Sequence, residues 1–280
     1  MWLLKVSTSL LQLTSPGRSP AMLLNLLASR TGYRLHRDIA YGEGLRHKLD
    51  LYVPDGFQRP APVVLFFYGG GFVSGRKSEY RVVGQALTDK GIIVAIADYR
   101  LYPQVRFPAF VEDGARALAA VYRIAEHYGG DSKRIFLAGH SAGAYIAAML
   151  GANPDYVKAA GADPSWIRGV IGIAGAYDFL PIVGARRIGI FGGDNRIETQ
   201  PIHFVDGKRP PMLLATGDKD NVVLPRNTKN LAARLRAHGS KVEEIVYPKA
   251  THTGIILSLA PGFRRMTPLL DDIARFVMRH

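Results

Sequence analysis

Apolar positions along this chain change period repeatedly, and the changes mark out alternating strands and helices. Arg34–Ala40 and Lys48–Val53 read as short strands separated by Gly42 and Gly44, an opening hairpin. Val63–Tyr68 is apolar without polar alternation, as expected of a strand buried on both faces of a parallel sheet. A helix follows near Tyr80–Lys90, ended by Gly91, and Ile92–Ala97 is a second buried strand. Phe110–Tyr128 predicts a long helix stopped by Gly129 and Gly130. Strand, helix and strand then run over Arg134–Ala138, Ala142–Leu150 and Val170–Ala174. Met212–Thr216, Asn227–His238, Val242–Tyr247 and Thr267–Arg279 complete the alternation. The order predicts an α/β chain, its mostly parallel sheet covered by helices on both faces. Residues 177–211, rich in Gly, Pro and charge, interrupt it after a strand's carboxyl end, where such sheets keep their ligand sites. Near the amino end, Ser19 as N-cap, Pro20 at the first helical position and Gly32 as terminator predict one further short helix.

Composition narrows the class. Of 280 residues, 48% are hydrophobic and 21% charged, which suits a packed globular chain rather than a disordered one. No apolar run approaches the ~18 residues of a membrane-spanning helix. The absence of cysteine excludes a disulfide framework, a cysteine nucleophile and thiolate-bound zinc, and fits a reducing, cytoplasmic setting. Lys5, Ser7, Thr8, Ser9 and Gln12 break up Met1–Leu13 as an export-signal core, so export to the periplasm is the less favoured expectation.

The net charge is +13, with +5 in residues 1–48 and +5 in 219–241. Such a field leaves weak association with an anionic surface open. No nucleic-acid motif accompanies the charge and no Lys/Arg run exceeds two, so a solubilising surface is the plainer reading and no nucleic-acid partner is expected.

The strongest local signal is Gly139-His140-Ser141-Ala142-Gly143, between a predicted strand and an apolar helix. A nucleophile on so sharp a turn needs small neighbours, and the turn holds its hydroxyl clear of the sheet. Upstream, Tyr68-Gly69-Gly70-Gly71-Phe72 closes the strand Val63–Tyr68. Consecutive glycines let backbone N–H groups approach a developing oxyanion. A serine needs a base, and the base an orienting carboxylate. Of the later histidines, His252 lies in a loop after the last strand, whereas His203, His238 and His280 fall in the insertion, at a helix end and at the terminus. For the acid, Asp220 follows the strand Met212–Thr216, with Asp218 beside it and Asp178 after the preceding strand as rivals. His140 sits on the far side of the turn and reads as structural.

With these motifs, and with Lys48–Pro54, Asp98–Pro103, Phe107–Ala109 and Glu112-Asp113, the chain resembles the α/β-hydrolase fold, specifically the bacterial hormone-sensitive-lipase-like carboxylesterases, from about Asp38 to Val277. The resemblance implies a serine carboxylesterase acting on a small-molecule ester of short to medium chain. Its triad would be Ser141, Asp220 and His252, with oxyanion donors at Gly70, Gly71 and Ala142. It implies neither a metal nor an organic cofactor. Phe72, Tyr99, Phe179 and Ile255, next to the motif residues, are candidate substrate-binding walls. Tyr68 stands where such enzymes carry a histidine, and the usual N-terminal cap is reduced to residues 1–35, a candidate lid ahead of a catalytic domain over 36–280. Arylformamidases and acetyl or feruloyl esterases share this machinery, and a non-catalytic binding protein of the same fold is the alternative of another class.

Overall fold

The computed structural model describes Asn25 and residues 28–280. The amino-terminal helix expected from Ser19 lies mostly outside the described residues, and its described end, residues 28–32, is not helical. From there the chain forms one eight-stranded sheet: β1 Tyr33–Ala40, β2 Lys48–Pro54, β3 Ala61–Phe67, β4 Ile93–Ala97, β5 Gly130–His140, β6 Ile167–Ile173, β7 Met212–Gly217 and β8 Val242–Tyr247. Its order is β1-β2-β4-β3-β5-β6-β7-β8. Only β2 runs antiparallel to its neighbours, completing the expected hairpin with β1. Because β3 to β8 are parallel, their carboxyl ends share one edge, and everything that follows them meets there.

The apolar runs are central for a plain reason. Every residue of β3 and β4 is buried, so neither strand has a polar face to turn to water. Helices cover both sides: α1 Arg81–Thr88, α2 Ala109–Ile124, α3 Ala142–Ala152, α4 Pro154–Ala159, α5 Ala185–Phe191, α6 Arg226–Ala237, α7 His252–Leu257 and α8 Leu269–Arg279. Neighbouring residues of β6 show the two layers. Gly169 faces Phe276 of α8, while Val170 faces Gly151 of α3, as the alternation of a strand requires. Helix α8 buries Leu269, Leu270, Ile273, Phe276 and Val277 at helical spacing and leaves Asp271 and Met278 outside. Helix α3 is buried all round, which its alanine-rich sequence permits.

Three expectations change. The long helix ends at Ile124, and Glu126–Tyr128 tightens into a 3-10 turn before Gly129. The segment carrying His252 is not loop but the first turn of α7. The insertion contains α5 and two 3-10 turns. Buried charge ties the hairpin to the body: Asp113, fully buried, is bonded by Arg100, Arg116 and His47. Lys77 bridges Asp38 and the buried Asp50.

Candidate active site

The chain leaves β5 at His140 and enters α3 at Ala142, so Ser141 alone makes the turn, at φ 54° and ψ −117°. Non-glycine residues seldom adopt that conformation, and here the packing of α3 on β3 imposes it. A Cβ on Gly143 would lie 1.9 Å from the Phe67 carbonyl oxygen. The Ser141 N–H donates to Ile173 O at 2.9 Å and pins the turn to β6.

Ser141 Oγ lies 2.9 Å from His252 Nε2, and His252 Nδ1 lies 2.8 Å from Asp220 Oδ2. Asp220 is 3% exposed, and its other oxygen accepts the N–H groups of Val222 and Val223 at 3.0 and 2.9 Å. A buried carboxylate so satisfied stays on the Nδ1 side, holds the proton there and leaves Nε2 to accept from the serine hydroxyl. Thr251 caps α7 by accepting Gly254 N–H at 3.1 Å, which orients the turn bearing His252. The rival carboxylates are engaged elsewhere: Asp218 accepts Lys249 N–H at 2.7 Å, and Asp178 accepts the Asn230 amide at 2.6 Å.

Three residues that border the cleft together with Ser141 have a backbone N–H without an acceptor among the described residues: Gly70, Gly71 and Ala142. The last opens α3, whose positive end faces the same space. Gly70 has φ +130°, and a Cβ there would lie 2.2 Å from Ser74 O, so the loop can only be glycine at that point. The loop is braced from beneath. Tyr68 OH donates to Asp98 Oδ1 at 2.8 Å, and Tyr99 OH to Tyr68 O at 2.7 Å. Arg46 donates to Tyr99 O and Gly75 O, both at 2.7 Å, and to Tyr68 OH at 2.5 Å. Arg46 was not among the sequence candidates. It sits in the hairpin turn 22 residues from Tyr68, and no local pattern marks it.

His140 is buried, and its Nε2 lies 3.0 Å from the carbonyl oxygen of His252. Burial first, and the neighbouring His252 second, lower its pKa to about 3, so it is the neutral donor in that bond.

Two lobes of one cleft meet at Ser141. The larger, about 930 Å³, is bordered by Gly70, Arg46, Glu79, Ser141, His252 and Thr253. The smaller, about 420 Å³, is bordered by Phe72, Ala142, Tyr145, Phe179 and Phe191. Phe72 and Phe179 are thus wall residues. Tyr99 and Ile255 are not: both are fully buried, Tyr99 stacked on Tyr68 with ring centroids 4.7 Å apart, and Ile256 borders the larger lobe instead. Adjacency in sequence misled here, because one step along a helix or past a strand end turns a side chain from cleft to core. Tyr145 was hidden in an apolar helix and Phe191 in an insertion without periodicity. Among the described residues no cluster of three or more His, Cys, Asp or Glu could hold a metal ion. Among them, too, no helix is long and apolar enough to cross a membrane.

The arrangement can deprotonate a serine hydroxyl and receive an oxyanion beside it. A model of the BD-FAE family matches residues 49–235. The chain is 31% identical over 267 residues to the probable isoprenylcysteine alpha-carbonyl methylesterase ICMEL1 of Arabidopsis thaliana, covering 87% of this chain and 56% of that protein. It therefore spans little more than half the length of that relative. Esterase LipC of Mycobacterium tuberculosis is 30% identical, with 94% of this chain and 69% of LipC aligned. Among solved structures, the carboxylesterase EstE1 from a metagenomic library superposes with a TM-score of 0.77 at 21% identity, covering 92% of this chain and 93% of that one. The fold is that of the α/β-hydrolases.

Proposed function

The chain belongs to the BD-FAE family, and on that premise we propose that it is a serine carboxylesterase hydrolysing short- to medium-chain esters. The observation that carries this reading is the continuous relay Ser141–His252–Asp220 beside three unengaged N–H groups.

In the proposed cycle His252 Nε2 takes the Ser141 proton as Oγ attacks the ester carbonyl. Asp220 steadies the imidazolium through Nδ1, and the N–H groups of Gly70, Gly71 and Ala142 receive the oxyanion. The tetrahedral adduct collapses as His252 returns the proton to the leaving alcohol. Water, deprotonated by the same nitrogen, then releases the acid from the acyl-enzyme. His140, neutral and bonded to the His252 carbonyl, positions that residue without adding a charge that would oppose the imidazolium. A cytoplasmic setting belongs to the same reading, on the cysteine-free composition.

The test is hydrolysis of p-nitrophenyl esters from acetyl to dodecanoyl by wild type and Ser141→Ala. Wild-type turnover peaking at short chains, with a loss of at least about a thousandfold in the variant, is expected. Equal turnover by the variant would refute the nucleophile. An aryl formamide run alongside measures the competing amide activity.

A further inference from the structure

The two lobes differ in a way that bears on substrate. A leaving oxygen has to lie within hydrogen-bond reach of His252 Nε2 to be protonated. His252 and Thr253 border the larger lobe, and neither borders the smaller. On the esterase reading, then, the leaving alcohol occupies the larger lobe and the acyl group the smaller.

Charge is distributed unequally between them. In the larger lobe the arginines have carboxylates beside them: Arg46 lies 3.7 Å from Asp98, and Arg76 lies 3.3 Å from Glu79. The smaller lobe has an aromatic floor, with Phe191 packed on Phe72, Phe179 and Tyr145 at centroid distances of 5.6, 5.1 and 5.6 Å. Two arginines, Arg187 of α5 and Arg226 of α6, border it as well, and both are exposed. No aspartate or glutamate lines this lobe. Among the described residues neither guanidinium has an ion-pair partner or hydrogen-bonds to another group. The nearby Asp178 is held by Asn230 and does not border the cleft. Residues 1–27 contain no acidic side chain that could neutralise the pair. An apolar pocket bordered by two planar forks, unpaired among the described residues, is suited to an apolar chain that ends in an oxyanion.

We propose that the smaller lobe takes an acyl group bearing an anionic head distal to its carbonyl, a carboxylate or comparable oxyanion, with Arg187 and Arg226 receiving that head. The proposal rests on the esterase reading, and its test separates the two. Wild type and an Arg187→Gln/Arg226→Gln variant are compared on p-nitrophenyl hexanoate and the p-nitrophenyl monoester of adipic acid, which have the same chain length and differ in the terminal group. The anionic-to-neutral ratio of kcat/KM is expected to fall about tenfold in the double variant. The wild-type ratio should also fall as salt is raised, and more steeply than that of the variant, which keeps only the attraction of the remaining net charge. A merely structural role for the arginines would depress both esters alike and leave the ratio standing, which would overturn the proposal while the esterase reading survived. Failure of wild type to cleave either ester would overturn both.

Discussion

Ser141, His252 and Asp220 meet although 111 residues separate the first two and 32 the last two, so each had to be placed by its own local structure. For His252, that local structure includes His140. Its ring would have an ordinary pKa near 6.5 in the unfolded chain, and burial lowers the folded value to about 3. Between those values the unfolded state binds the extra proton, so stability falls as pH drops through 6.5 toward 3 and is fully present above 6.5. The contribution to the slope is about 1.4 kcal/mol per pH unit within that window. Urea unfolding of wild type and His140→Gln from pH 7 to pH 4 should therefore show a shallower decline in the variant. Identical slopes would mean that His140 is not the buried neutral group described.

The elements that sequence made legible are those whose period is set by burial. β3 and β4 could be read because both faces of each are covered, and α2 and α8 because one stripe of each is. Short docking helices could not be. Helices α4, α5 and α7 have six or seven residues, too few to display a helical period, and their position is decided by what they pack against. Ile255 and Ile256 show the consequence, since nothing in the string distinguishes the one that enters the core from the one that borders the cleft. Gly70, Gly139 and Gly143 were legible because close approach of backbone leaves no alternative residue there. Gly143→Ala tests that constraint, since its new methyl would have to displace backbone of β3. A loss of about 1–3 kcal/mol or more in unfolding free energy is expected, together with collapse of the proposed esterase activity. A fully stable and active variant would show that α3 and β3 are not in such contact.

At the scale of the whole molecule, parallel strands bring the glycine loop and the turns bearing Ser141, Asp220 and His252 to one edge, in a chain of net charge +13. On the proposal above, that excess gains a specific use at Arg187 and Arg226, which border the smaller lobe of the cleft. The central claim is that Ser141 carries the acyl group between two half-reactions. The most direct measurement is intact and peptide mass spectrometry after rapid acid quench of the enzyme turning over p-nitrophenyl acetate. The account predicts a single acetyl adduct on the peptide containing Ser141, absent from Ser141→Ala. An adduct confined to another residue, or persisting in the variant, would contradict it.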